Sequence, residues 1–272
     1  MAYLEIGLLG PFTASVCGAS IVPSAAKQRR LLALLAVGSG REMSMATIAE
    51  ELWEGCPPAG PAAAVQTYVK QLRQRIAGAV SRFGPGIDPK QVLSRGHSGY
   101  RLAMPEVRVD AREFELLVRR GEQAVAEGAD ERAVRLLSDG IALWQGQGQA
   151  LSDVRMSGAL RAEALRLDEV RLAAVESRIE AELRLGRHVH LVSELTALTT
   201  LHPLQESLHA QLMVALYRSG RPSQSLEAFR RLRETSVREL GIEPSRRLQE
   251  LHRWVLAGEA VLDGPVRALA AF

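Results

Sequence analysis

The amino-acid sequence predicts a mainly α-helical chain whose small β component lies within about the first hundred residues. Apolar residues recur at helical spacing along most of the 272 residues. Short apolar runs alternate with turn residues only at residues 3–22 and around a Gly-bounded turn at residues 92–102. From Pro105 onward, helical patterns follow one another with few strand signals. The length is sufficient for two domains, and we place the boundary between residues 1–104 and 105–272.

The first elements are a small sheet and a basic-ended helix. Residues 3–22 predict the sheet, and Lys27 to Val37 predict a helix with apolar residues at 31, 32, 34, 35 and 37. Lys27, Arg29 and Arg30 lie at the start of this helix, where cations are unfavourable for the helix dipole unless an anion lies nearby. We therefore expect a phosphate to supply that anion.

A second helix and a break follow. Ser44 is a candidate N-cap, and Thr47 to Trp53 place Ile48, Leu52 and Trp53 on one apolar side. The residues EGCPPAG (54–60) then end the helix, because prolines lack the backbone donor and restrict their neighbours.

The third helix, Ala62–Ala79, has two distinct faces. Val65, Val69, Leu72 and Ile76 form an apolar stripe for a core. The opposite side and its flanks carry amides, cations and a hydroxyl, which are the groups that bind base edges and phosphates. The opposite side consists of Thr67, Lys70, Gln71 and Gln74, and the flanks of Gln66, Arg73 and Arg75. A solvated surface helix has the same pattern, so the neighbouring elements must decide between the two readings.

A linker rich in Gly and Pro (84–89) leads to VLSR–GHSG–YRL (92–102), which predicts a hairpin with Arg95 and His97 near its turn. Two helices around a tight break, followed by a basic hairpin, are typical of a winged helix-turn-helix that binds DNA. In that arrangement the third helix enters the major groove and the hairpin, or wing, contacts the backbone or the minor groove. The candidate DNA-binding residues are Lys27, Arg29, Gln66, Thr67, Lys70, Gln71, Arg73, Gln74, Arg75, Arg95 and His97.

The charge distribution favours the DNA-binding reading. Residues 1–104 contain 11 basic and 6 acidic side chains, a net charge of +5, whereas residues 105–272 contain 23 and 25, a net charge of −2. A clustered positive charge is the electrostatic signature of a polyanion partner. A membrane surface would attract the same charge, but no stretch combines it with a long apolar helical face, so we expect no membrane partner.

The second half predicts a train of helices. A helix-pair repeat of the tetratricopeptide-like kind is indicated by Ala215, Tyr217, Gly220, Ala228 and Phe229, which lie where such repeats place small and aromatic residues. A plain helical bundle is the alternative. Trp144 and Tyr217 are expected to be core residues. The predicted helices are 111–126, 130–143, 158–185, 188–198, 205–219, 222–240 and 244–257.

Several function classes are disfavoured. Cys17 and Cys56 are far apart and suggest reduced thiols in a cytoplasmic protein, and the N-terminus has no signal-peptide pattern. GHSGY (96–100) lacks the second Gly of a nucleophile elbow, and His188 and His190 are two apart rather than the four of a helical metal site. We therefore expect neither catalysis nor a cofactor. A helical-repeat adaptor that binds only protein remains the alternative function.

Long motifs resemble those of one family, the Streptomyces antibiotic regulatory proteins (the AfsR/DnrI/RedD group). The resemblance implies an OmpR-type winged-helix domain and an all-helical bacterial transcriptional activation domain. It also implies a pathway-specific activator of secondary-metabolite genes that binds promoter direct repeats as a homodimer and recruits RNA polymerase holoenzyme. Like short members of the family, the chain has no GxxxxGK[ST] loop. The linker (81–91) departs from the pattern. The matching motifs are LGPF (9–12), KQRRLLALLA (27–36), residues 51–76, GYRL (99–102), VDAREFE (109–115), IALWQG (141–146), EAELRLGRH (180–188), residues 201–234 and residues 239–252.

Overall fold

The computed structural model of the chain describes residues 3–81, 88–102, 104, 106–146, 148–259 and 262. The chain divides into two compact units: unit 1 contains Met1–Leu116 and Gly140–Arg171, and unit 2 contains Leu117–Asp139 and Leu172–Phe272. The sequence-based domain boundary after residue 104 stays a prediction.

Unit 1 begins with the expected small sheet. Strands β1 (Tyr3–Gly7), β2 (Thr13–Val16) and β3 (Ala19–Ser20) form an antiparallel meander. A strand that was not predicted, β7 (Glu106–Val109), pairs in parallel with β1, so that the order is β3-β2-β1-β7. Four residues directly before a helix have too little alternation to identify a strand, and the partner lies about a hundred residues away.

The helix-turn-helix and hairpin region also lies in unit 1. Helices α1 (Ala26–Val37), α2 (Met45–Trp53) and α3 (Pro61–Val80) match the predicted helices within two residues at each end. Ser44 caps α2, because its side chain accepts from the Thr47 amide at 3.1 Å. A short helix, α4 (Pro89–Val92), precedes the predicted hairpin of β5 (Leu93–Arg95) and β6 (Gly99–Leu102).

A second small sheet has the order β4-β6-β5, in which the two-residue strand β4 (Met43–Ser44) was not predicted. Residues 84–87 of the predicted linker lie outside the described residues, as do residues 103 and 105 next to the proposed boundary and residue 147 in a predicted break.

The seven predicted helices of the second half are present, with ends that differ by at most three residues. They are α5 (Asp110–Ala126), α6 (Asp130–Ala142), α7 (Gly158–Arg184), α8 (His188–Leu201), α9 (Glu206–Arg218), α10 (Pro222–Leu240) and α11 (Arg246–Ala257). Gly241 adopts φ 70° at the end of α10, a left-handed conformation that glycine adopts without strain.

The two aromatic core predictions have different outcomes. In unit 1, Trp144 is buried and meets Phe114 edge-on, with 5.7 Å between ring centroids. In unit 2, Tyr217 is only partly buried and packs against an apolar cluster that includes Leu195, Met213 and Leu232. Trp144 is therefore confirmed as a core residue, and Tyr217 lies at the margin of a core.

Candidate nucleic-acid interface

The turn between α2 and α3 is held by side chains from α1. Glu54 ends α2 in a left-handed conformation with φ 51°. The Leu52 carbonyl accepts from both Lys27 Nζ and Arg30 Nη1, so cations satisfy a carbonyl that the helix end leaves without an intrahelical partner. Trp53 then stacks on Tyr68 of α3 with 6.4 Å between ring centroids. These contacts fix α3 relative to α2.

The outer face of α3 is the polar surface that the sequence predicts. Val65, Val69, Leu72 and Ile76 are buried, which confirms the apolar stripe. The Thr67 hydroxyl donates to the Ala63 carbonyl at 2.9 Å, and Gln71 Oε1 accepts from Gln28 Nε2 at 2.5 Å. The exposed polar side chains of this helix are Gln66, Thr67, Lys70, Gln71, Gln74 and Arg75.

Arg73 has an internal partner that the sequence did not indicate. Its Nε and Nη2 atoms both donate to the Leu93 carbonyl, at 3.0 and 2.8 Å. The guanidinium carbon also lies 5.9 Å from the centre of the Tyr100 ring. Arg73 therefore connects α3 to both strands of the hairpin, while its predicted contact with DNA phosphate stays a prediction.

Lys27 and Arg29 do not join the exposed face of α3. Lys27 lies over the Trp53 ring, 5.5 Å from its centre, and burial together with the nearby Arg30 lowers the pKa of Lys27. Arg29 forms an ion pair with Asp153, with 2.7 Å between Nη1 and Oδ2. The chain itself thus supplies carbonyl and carboxylate partners for these cations, and their predicted contact with a DNA phosphate stays a prediction.

The hairpin is stabilised at its tip by one carboxylate. Glu42 Oε1 accepts from the Ser98 amide at 2.6 Å, the Ser98 hydroxyl at 3.0 Å and the Gly99 amide at 2.7 Å. The hydrogen bonds from Ser98 hold the pKa of Glu42 below its ordinary value. Gly99 is required here, because a Cβ atom would lie 1.8 Å from the Met43 carbonyl oxygen on β4.

The hairpin exposes three basic side chains, of which sequence reasoning named two. Arg95 and His97 are exposed as expected. Arg101, which the sequence analysis did not select, is also exposed, and its Nε atom donates to Ser94 Oγ across the strand pair at 3.0 Å. Because Tyr100 and Leu102 on either side are buried, strand alternation places Arg101 outward and would have identified it.

Two kinds of feature are absent from the part of the chain that the structure describes. In that part, no group of three or more His, Cys, Asp or Glu side chains is arranged to hold a metal ion. Likewise, none of the described helices has the length and apolar character needed to cross a membrane.

Comparisons with known proteins concern both halves of the chain. The profile of the family described as "Bacterial transcriptional activator domain" matches residues 109–256. The chain is 41% identical over 272 residues to Regulatory protein DnrI of Streptomyces peucetius, covering 98% of each protein. It is 33% identical over 262 residues to Transcriptional regulator RedD of Streptomyces coelicolor, covering 96% of this chain and 73% of RedD.

A solved structure extends the comparison to the fold. The structure of Mycobacterium tuberculosis EmbR in complex with a low-affinity phosphopeptide superposes with a TM-score of 0.84 at 34% sequence identity. The match covers 99% of this chain and 72% of the EmbR chain. The mainly helical fold with small sheets is therefore shared with a protein of known structure.

Proposed function

The chain belongs to the family of Streptomyces antibiotic regulatory proteins, which are transcriptional activators, and from this premise we propose that it binds promoter DNA in a sequence-specific manner. The observation that carries the proposal is the exposed polar face of α3, which follows a tightly held turn and is tied to a basic hairpin through Arg73. We interpret residues 1–104 as an OmpR-type winged helix-turn-helix and residues 105–272 as a tetratricopeptide-like activation domain.

In the proposed complex, α3 lies in the major groove of double-stranded DNA. Amide side chains pair with adenine, and a Lys donates to guanine acceptors, so the exposed groups of α3 suit direct base readout. We assign base contacts to Thr67, Lys70, Gln71 and Gln74, and flanking contacts to Gln66 and Arg75. The Thr67 hydroxyl oxygen can still accept and Gln71 Nε2 can still donate to a base while their bonds to Ala63 and Gln28 persist.

The wing supplies backbone or minor-groove contacts in this proposal. Arg95 and His97 lie at the Gly-bounded end of the hairpin, and Arg101 adds a third exposed basic side chain. Cations that neutralise phosphates give affinity and register without reading sequence. The wing therefore strengthens binding to all duplexes, while α3 selects among them.

Activation is assigned to the second half. One winged helix reads few base pairs, so we propose that a homodimer binds direct repeats at promoters of a secondary-metabolite gene cluster. Residues 105–272 stabilise the bound pair and recruit RNA polymerase holoenzyme. The site of action is the nucleoid in the cytoplasm. A protein-only adaptor is the competing function.

The test measures sequence preference with the full chain. Wild-type protein first enriches a preferred duplex from a random-sequence pool, and binding is then compared with a scrambled duplex. We expect Lys70→Ala and Gln74→Ala each to lose about 1–3 kcal/mol of discrimination between these duplexes. Arg161→Ala, which removes an exposed cation from α7, is the control and should bind as wild type does.

Two results would contradict the proposal at different levels. Unchanged preference in both α3 variants would show that another element reads the bases. If wild-type protein enriches no duplex, the adaptor function is favoured instead.

A further inference from the structure

The loop between α6 and α7 (the α6–α7 loop), described at residues 143–146 and 148–157, lies within the activator-family match yet belongs to unit 1. Its backbone runs beside the residues that follow β1. The Gln145 amide donates to the Leu9 carbonyl at 2.8 Å, and the Leu151 amide donates to the Leu8 carbonyl at 3.0 Å. The Ser152 amide donates to the Gly10 carbonyl at 3.1 Å. These bonds attach the α6–α7 loop to the N-terminal sheet.

Asp153 connects the same loop to α1. One carboxylate oxygen accepts from the Phe12 amide at 2.6 Å. The other oxygen forms the 2.7 Å ion pair with Arg29. The carboxylate therefore fixes the loop against both the sheet region and the first turns of α1.

Arg30 continues the connection to the end of α2. Only 2% of its surface is exposed, which makes it an unusual arginine, since a buried guanidinium requires partners for its donors. On the loop side, Nε donates to the Arg155 carbonyl at 2.9 Å and Nη2 to the Met156 carbonyl at 3.4 Å. Both acceptors are backbone carbonyls, so on this side Arg30 binds the backbone of the loop and not its side chains.

The other donors of Arg30 face the last turn of α2. Nη1 lies 3.1 Å from the Glu51 carbonyl, 3.2 Å from the Leu52 carbonyl and 2.6 Å from Glu54 Oε1. Glu51 of α2 also contacts the start of α7, because its Oε2 accepts from the Ala159 amide at 3.0 Å. One buried guanidinium thus joins the α6–α7 loop to the residues from which the turn to α3 begins.

We propose that the α6–α7 loop helps to orient α3 for DNA binding and that Arg30 is a positioning residue for α3. This inference rests on the proposed DNA-binding function. Base readout requires side chains to be held within a fraction of an ångström, and the supporting contacts set that accuracy. If the loop or Arg30 is perturbed, the end of α2 loses its anchor and α3 loses its orientation in the groove.

The experiment uses the full chain with the enriched and scrambled duplexes as probes. Asp153→Asn removes the carboxylate charge with little change of shape, and Arg30→Lys keeps the charge but cannot reach both sides. We expect the ratio of affinities for the two duplexes to fall about fivefold, the difference of about 1 kcal/mol between a charged and a neutral hydrogen bond. Binding to the scrambled duplex and its salt dependence should stay unchanged, because Arg75 and Arg95 remain exposed.

Glu163→Gln is the matched control, since it weakens the 2.8 Å ion pair of Glu163 with Arg166 in the same unit. Amide hydrogen exchange of residues 51–60 is measured in parallel and should be faster in the two test variants only. If Arg30→Lys does not fold, Asp153→Asn carries the test alone.

If folded variants keep the wild-type ratio of affinities, the inference is overturned. Faster amide exchange or a lower melting temperature in those variants would then show that the contacts only stabilise the fold. If the wild-type chain prefers no duplex, both the proposed function and this inference are refuted. The wild-type measurement alone distinguishes this outcome from failure of the inference.

Discussion

Replacing Arg73 tests whether this residue positions the hairpin, in contrast to Lys70, for which we propose a contact with DNA. Lys70, one turn earlier on α3, is exposed and serves as its counterpart. The Arg73 guanidinium donates twice to the Leu93 carbonyl and lies over the Tyr100 ring. We therefore expect Arg73→Ala to lower the stability of unit 1 and Lys70→Ala to leave it unchanged.

The magnitude follows from these contacts. Hydrogen bonds from a charged donor contribute about 1.5–3 kcal/mol, and a cation–π contact adds about 0.5–1 kcal/mol. Because Arg73 is only partly buried, we take about 2 kcal/mol as the expected loss. For a domain of this size, that corresponds to a melting temperature lower by about 4–8 °C. An exposed substitution such as Lys70→Ala should stay within about 0.5 kcal/mol of wild type.

The assay is thermal and urea unfolding of the full-length variants, with Arg73→Lys as a third protein. Lys keeps the charge that a phosphate contact needs but loses the forked donor pair that Leu93 accepts. We expect Arg73→Lys to melt nearly as early as Arg73→Ala. If Arg73→Ala has the same melting temperature as wild type, the bond to Leu93 contributes nothing to the stability of unit 1 and the positioning role is refuted.

Four further predictions concern the wing, the repeats and the two units. Arg95→Ala should flatten the dependence of log K on log salt by about 0.9, and an unchanged slope would exclude a phosphate contact. Half a helical turn inserted between direct repeats spaced about 10–11 bp should abolish cooperative binding, and a full turn should partly restore it; equal affinities would indicate independent monomers. Trp144→Ala should cost about 3–5 kcal/mol in urea unfolding, and Trp144→Phe less, because the described residues offer its buried indole N–H no acceptor. Burial lowers the pKa of His209, so the unfolded chain takes up the proton first and stability should fall as pH drops below about 6.5; His209→Leu should flatten this dependence.

The sequence determines the faces of α3 because helical periodicity is a local property. The stripe from Val65 to Ile76 and the Ser44 cap could be predicted and are confirmed. Strand β7 and the α6–α7 loop contacts could not, since their partners lie about a hundred or more residues away and leave no local pattern.

Individual cations are harder to assign than helix faces. The sequence groups Arg30 with Lys27 and Arg29 as one basic helix end, although Arg30 lies four residues before Leu34 on the buried side of α1. That spacing was a usable signal for its burial. No comparable signal marks Arg73, because a bond to the Leu93 carbonyl depends on where the hairpin packs.

The parallel pairing of β1 with β7 also sets an order of events on the ribosome. The strand that begins the sheet is made first, while its partner at residues 106–109 and the α6–α7 loop come much later. At about 5–20 residues per second, roughly 8–30 s separate β1 from the start of α7. For roughly the first two thirds of that interval the edge of β1 has no β7 strand to pair with, and Arg30 has no loop carbonyls to bind until near its end. A nascent chain that has not reached residue 159 therefore lacks the loop and α7 contacts that hold the end of α2.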